Sequence, residues 1–137
     1  MVNATEHTIE CDLCHREFRL VKDVVKEERV TLMKEGLEPH EVILTYLYCP
    51  CCGKRYPVIM DDEDTLPVLA KLRAVLAKIL RETKAGFKAK PELVQKQTKL
   101  NRKLDFKRRK LAEKYYQSFY QLEDGTMEQL DYRYHAR

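Results

Sequence analysis

The first half of the chain contains short clusters of β-branched and aromatic residues, a pattern typical of β-strands. The clearest cluster is Val42-Ile-Leu-Thr-Tyr-Leu-Tyr48, which runs directly into a cysteine. Three further strands are predicted, at residues 8–11, 17–21 and 55–60. Taken together, these segments predict a small β-rich unit at the start of the chain.

The segment 22–40 has a different pattern. Its apolar residues lie roughly at helical spacing, at Val24, Val25, Leu32 and Met33. Gly36 and Pro39 would end a helix there. Because Glu28 interrupts the apolar stripe, the segment is predicted as a helix with a strand as the alternative.

The second half of the chain begins with a strong helical pattern. Its apolar positions recur every three or four residues, at Leu66, Leu69, Leu72, Val75, Leu76, Ile79 and Leu80. The acidic run at residues 61–64 precedes Thr65 and Pro67, which predicts a helix start with Thr65 or Asp64 as the N-cap. Gly86 predicts the end of this helix.

A second helix is predicted from Pro91, with an apolar stripe that continues for about thirty residues. The stripe consists of Leu93, Val94, Leu100, Leu104, Leu111, Tyr115, Phe119 and Leu122. A short connection makes the two helices an antiparallel, coiled-coil-like hairpin. Because the longer stripe outruns the first helix, we expect a homo-oligomer unless the C-terminal segment folds back over it. Residues 126–129 have capping-box spacing and indicate a last short helix.

Four of the five cysteines form two pairs with a two-residue gap, Cys11 with Cys14 and Cys49 with Cys52. No signal-peptide pattern and no apolar run of membrane-span length occurs, so we expect a cytoplasmic protein in which disulfides would not persist. Four thiolates satisfy tetrahedral zinc at about 2.3 Å and leave no position for a substrate. The cysteines therefore predict one structural zinc ion, with a redox role or another metal as alternatives.

The second cysteine pair reads Cys49-Pro-Cys-Cys52-Gly53-Lys54, which resembles the Cys-Pro-x-Cys-Gly-Lys knuckle of the zinc-ribbon superfamily. The resemblance covers about residues 7–60 and implies a ribbon held by one zinc ion, but no particular function. His15 stands where that pattern usually has glycine, and histidine tolerates a left-handed backbone better than most residues. Cys51 is predicted to be a bystander thiol, with a spare ligand or an oxidation-sensitive thiol as alternatives.

These patterns predict an α+β fold in three regions: a zinc-ribbon β domain at residues 1–64, a basic helical hairpin at 65–122, and a C-terminal segment at 123–137. A ribbon followed by a basic hairpin is also similar to small proteins of Gram-positive phages and mobile elements, although no diagnostic motif accompanies it. The fold class is thus a small β domain followed by an antiparallel hairpin.

Charge divides the chain. Residues 1–64 carry eight Lys or Arg against fourteen acids, a net of −6, whereas residues 65–137 carry eighteen against eight, a net of +10. On the second helix, seven cations and one aromatic ring lie away from the apolar stripe: Lys96, Lys99, Arg102, Lys103, Phe106, Arg109, Lys110 and Lys114. This pattern favours contact with a nucleic acid. An acidic protein surface and an ordinary solvated helix face are the alternatives.

No catalytic pattern is found. The chain has four glycines and no phosphate-cradling glycine loop, no H-E-x-x-H, no G-x-S-x-G, and a single serine, Ser118. We therefore expect a non-enzymatic accessory or regulatory protein that contacts nucleic acid through its second helix. The alternative is a protein-interaction module, either an adaptor or an inhibitor, that docks on a protein partner.

Overall fold

The computed structural model describes residues 8–130 and 132 of the chain. Within them, seven strands and two helices follow in this order: β1 (Thr8–Glu10), β2 (Glu17–Arg19), β3 (Val25–Met33), β4 (His40–Tyr48), β5 (Arg55–Asp61), α1 (Leu66–Lys84), α2 (Pro91–Lys114), β6 (Phe119–Gln121) and β7 (Met127–Gln129). One turn of 3-10 helix at Lys22–Val24 leads into β3. The predicted strands at β1, β2, β4 and β5 and the helix α1 are confirmed.

The helix predicted between residues 22 and 36 is wrong, and the alternative of a strand is correct. β3 pairs with β4 in antiparallel register from Val25 opposite Leu47 to Leu32 opposite His40. Val30 and Leu32 are buried while the residues between and beside them are more exposed. A two-residue period of burial is what a strand with one face on a core requires.

The larger sheet has the order β5-β4-β3-β6-β7, and a separate two-stranded sheet is formed by β1 and β2. β3, β4 and β5 follow each other as an antiparallel meander, and β6 returns after the two helices to pair with the far edge of β3. This connectivity is a Greek key, to which β7 adds a hairpin strand. The predicted fold class, a small β domain followed by a hairpin, is therefore wrong, because strands of one sheet lie before and after the helices.

The five-stranded sheet curls until its two edge strands approach each other. Arg55 on β5 donates to Glu128 on β7 at 2.6 Å, and the Tyr120 hydroxyl donates to the same carboxylate. The Tyr132 hydroxyl donates to the carbonyl of Val58 at 2.9 Å. The contacts of Arg55 with Glu128 and of Tyr132 with Val58 cross the open side of the sheet, whereas Tyr120 and Glu128 are paired on the neighbouring strands β6 and β7. The sheet therefore resembles a partly open barrel. Its concave side encloses the main core, which includes Val30, Leu32, Val42, Leu44, Tyr46, Met60, Tyr120, Leu122 and Leu130.

The helices α1 and α2 pack against each other as an antiparallel pair. Their shared cluster joins Val68 and Leu72 of α1 to Leu104 of α2, with Leu69 and Leu100 at its border. The end of α2 adds Leu111, Ala112 and Tyr115 to the core of the sheet. The helical pair is thus anchored at its base and extends away from the sheet at its connecting loop.

Two predictions about the C-terminal third are wrong. α2 ends at Lys114, and Phe119–Gln121 forms β6 instead of continuing the helix to residue 122. Gln117 has a positive φ of 60°, which breaks the helical path. The segment with capping-box spacing forms the strand β7, at Met127–Gln129, and not a short helix.

α1 begins directly after Thr65, which holds the predicted N-cap position. Thr65 makes no side-chain cap hydrogen bond to the helix. Instead, the Asp62 carboxylate accepts hydrogen bonds from the backbone N–H groups of Asp64 and Thr65, each at 3.0 Å. The helix ends as predicted, with Gly86 at a φ of +86°. Among the described residues, neither helix has the length and apolar character needed to span a bilayer.

Candidate functional site

The two cysteine pairs lie in two turns of matching geometry. In the first turn, the N–H of His15 donates to the carbonyl of Cys11 at 2.8 Å. In the second, the N–H of Gly53 donates to the carbonyl of Cys49 at 2.9 Å. His15 and Gly53 both have positive φ, 61° and 81°, so the histidine takes the left-handed position expected for it. Each turn closes a short hairpin and presents both of its thiols on one side.

The four predicted ligands converge on one point. The Sγ atoms of Cys11 and Cys52 are 3.5 Å apart, and those of Cys14 and Cys49 are 3.7 Å apart. All four sulfurs lie within 4.8 Å of one another. A tetrahedral zinc ion with bonds of about 2.3 Å needs sulfur atoms about 3.8 Å apart. The cluster therefore fits one zinc ion, in an arrangement like that of a zinc ribbon.

The metal centre is supported by its own small core. Cys11 and Cys49 are fully buried and pack with Phe18 of β2 and Val24, just before β3. This cluster is separate from the core inside the curled sheet. Because β1 and β2 are only three residues long each, they bury too little apolar surface to form a stable sheet alone. A bound ion would supply the missing stabilisation and hold β1 and β2 against the rest of the chain.

Tyr56 connects the second cysteine turn to the first. Its hydroxyl lies 3.0 Å from Cys11 Sγ, donates to Asp12 Oδ1 at 2.6 Å, and accepts from the Asp12 N–H at 3.1 Å. Lys54 Nζ also contacts Asp12 Oδ1 at 2.6 Å. Hydrogen bonding to Tyr56 lowers the pKa of the Cys11 thiol to about 6, whereas the pKa of the Cys14 thiol is raised to about 12. Sequence reasoning missed Tyr56, whose only signal is its place in the strand after the second turn.

Two features of the second turn favour glycine at position 53. Its φ of +81° lies in the left-handed region, which costs residues with a side chain about 1–2 kcal/mol. A Cβ atom there would also lie 3.2 Å from the hydroxyl oxygen of Tyr48. Cys51, just before Cys52, is exposed and stands outside the group of four sulfurs, in keeping with a bystander thiol.

A second group of potential ligands lies at the start of α1. His40 Nε2 is 3.1 Å from Asp62 Oδ2 and 3.6 Å from Glu63 Oε2. The His40 ring stacks on Tyr115 at 5.7 Å. Since the other oxygen of Asp62 caps α1, these contacts belong to the helix N-terminus that the acidic run indicated.

The seven basic residues and Phe106 predicted on the second helix all fall within α2, and all eight are exposed. None of the seven cations forms an ion pair with a residue that the structure describes. Lys110 Nζ lies 4.6 Å from the centre of the Phe106 ring. Arg108 is the exception on this helix, because its guanidinium pairs with Asp61 at the end of β5. The seven predicted cations are exposed to the solvent.

Comparisons with known proteins identify no relative of the chain. No protein-family model, no curated protein and no solved structure matches the chain. The resemblance to zinc ribbons therefore rests on the cysteine cluster and its two turns alone.

Proposed function

We propose that the protein is a non-enzymatic accessory or regulatory protein that binds the phosphate backbone of a nucleic acid through the exposed face of α2. The zinc ion has a structural part in this proposal, because four thiolates complete its coordination. In this proposal only α2 contacts the nucleic acid.

The observation that carries the proposal is the row of seven unneutralised cations on α2. From Lys96 to Lys114 they extend over about 27 Å at 1.5 Å per residue. Like charges three or four residues apart destabilise an isolated helix by about 0.2–0.5 kcal/mol per pair, so the row has an energetic cost without an anionic partner. A phosphate backbone supplies anions along a line and gains entropy from released counterions.

The proposal is tested by fluorescence anisotropy with labelled duplex and single-stranded DNA over a range of salt concentrations. If five to seven cations each neutralise one phosphate, the log–log slope on duplex is about −4 to −6. Lys99→Glu combined with Lys103→Glu should weaken binding to all sequences alike. The matched control is Lys22→Glu with Lys26→Glu, which makes the same change in net charge at exposed positions outside α1 and α2.

A substitution of Phe106 distinguishes contact with the phosphate backbone from stacking on bases. Its ring is 56 % exposed and is available to stack on an unpaired base. Phe106→Ala should weaken binding to single strands more than binding to duplex. If duplex DNA, single-stranded DNA and RNA all fail to bind at low salt, the proposal is wrong. Docking on an acidic protein surface then becomes the leading explanation of the seven cations on α2.

A further inference from the structure

α1 carries two apolar faces, of which α2 covers only one. Val68, Leu72 and Val75 are buried between the helices. The second face contains Leu66, Leu76 and Leu80, with Leu69 at its border with the interface between the helices. Three of these leucines are strongly exposed, with 41 % of Leu66, 41 % of Leu76 and 53 % of Leu80 accessible. Phe87 in the hairpin loop and Val94 at the start of α2 are also exposed, at 70 % and 44 %.

The second face has the spacing of a coiled-coil seam. Its positions 66, 69, 73, 76 and 80 follow each other in steps of three and four residues, which is the a and d pattern of heptads. The seam is about 21 Å long at 1.5 Å per residue. Ala70 and Ala77 lie beside it and allow another helix to approach closely. Such spacing suits a partner helix better than an irregular peptide.

Charge restricts the partner further. Arg73 occupies the middle of the seam along its length, and Lys84 lies near its edge. The helices and their loop, residues 66–114, carry sixteen Lys or Arg against four acids, a net of +12. A second copy of α1 packed antiparallel would bring two Arg73 side chains together, and two strongly cationic hairpins repel each other. An anionic lipid surface would have to accept a guanidinium in the centre of the apolar stripe, between two pairs of leucines.

We propose that this face of α1 docks an amphipathic helix with a leucine-type stripe and acidic flanks, one carboxylate of which pairs with Arg73. A helical projection places the seam on the side of the hairpin opposite the basic face of α2. The two surfaces are therefore separate, and a protein helix on α1 leaves the cations of α2 free for their own partner. This inference does not depend on nucleic-acid binding.

The test uses two labelled synthetic helices of about three heptads, each with leucine at the a and d positions. One carries Glu at the flanking positions and the other carries Lys. In fluorescence anisotropy the acidic peptide should bind the full chain and the basic one should not. Leu76→Gln with Leu80→Gln should weaken that binding by about tenfold or more, since both substitutions replace an apolar side chain at the proposed contact with a polar one. Arg73→Glu should reverse the preference between the two peptides.

Control variants keep the test independent of folding. Ala74→Gln lies on the exposed side of α1 away from the seam and should leave peptide binding unchanged. The melting temperature should change little in the leucine variant, because both side chains are already exposed. Equal binding of the two peptides, or binding of neither, overturns the proposal. Two further results would overturn the proposal if the acidic peptide also fails to bind. One is a concentration-dependent dimer that the leucine variant no longer forms. The other is retention on anionic vesicles that the leucine variant loses.

Discussion

The ion pair between Arg108 and Asp61 fixes the base of α2 against the end of β5, and its removal gives a sharp prediction. The guanidinium donates from Nε to Oδ1 and from Nη2 to Oδ2, both at 2.8 Å. Only 12 % of the arginine side chain and 8 % of the aspartate side chain are accessible. Arg108→Met keeps an apolar stem of similar length but leaves the carboxylate buried without its cation.

The expected loss follows from that burial. Two charge-assisted hydrogen bonds contribute roughly 1.5–3 kcal/mol each, and breaking one side of a buried pair typically costs about 3–5 kcal/mol. With an m-value of about 1–3 kcal/mol/M in urea, the midpoint of unfolding should fall by roughly 2 M. Asp61→Leu combined with Arg108→Met should recover most of this loss, because no buried charge is then unpaired.

Urea unfolding followed by circular dichroism, with zinc present throughout, measures both variants. The matched control is Arg109→Met, at the next position, where the side chain is exposed and the expected change is within about 0.5 kcal/mol. A loss below about 1 kcal/mol in Arg108→Met would refute the reasoning. A double variant no more stable than the single one would refute it equally.

The remaining predictions concern the metal centre. Tyr56→Phe should weaken zinc binding about 10–100-fold, as loss of an outer-shell partner usually does, measured by competition with a chromogenic chelator. Cys52→Ser should weaken it by more than about 100-fold, whereas Cys51→Ser should leave metal content unchanged. Gly53→Ala should lower the melting temperature more than Gly36→Ala does, since both glycines have positive φ but only the first has a neighbour close to the added methyl group.

Each of these predictions has a contrary outcome. Unchanged zinc affinity in Tyr56→Phe would mean that the hydroxyl serves only the turn at Asp12. Loss of metal in Cys51→Ser would assign that thiol to the coordination shell in place of Cys52. Equal effects of the two glycine substitutions would show that the contact with Tyr48 is relieved by a small movement of its hydroxyl.

The metal centre could be predicted from the sequence because the residues that define each cysteine turn are close together in the chain. The spacing of Cys49 and Cys52, with Gly53 directly after them, defines a turn that needs no distant contact. α1 was predictable for the same reason, since its apolar period, proline and terminal glycine are all within one segment. The exposed positions of the basic residues on α2 also followed from the period alone.

The prediction failed where distant pairing decides the structure. Tyr115, Phe119 and Leu122 continue a helical spacing, but the chain turns at Gln117 and Phe119–Gln121 pairs with residues 31–33 of β3. Tyr120 is thereby buried in the core, which a helix to residue 122 would not have achieved. β3 was predicted as a helix because Val24, Val25, Leu32 and Met33 lie roughly at helical spacing, although Val30 and Leu32 are separated by a single polar residue, as in a strand. Tertiary pairing thus overrode local periodicity in both segments.

Metal content is the most direct test of the central claim that Cys11, Cys14, Cys49 and Cys52 hold one structural zinc ion. Elemental analysis of the protein purified without chelators should find about one zinc per chain, as expected for a closed four-thiolate site. Removing the zinc with a chelator should then lower the melting temperature and increase hydrogen exchange in β1 and β2 first, because those strands depend on the ion. A protein that is purified without stoichiometric metal and shows the same protection in β1 and β2 before and after chelation would contradict the account.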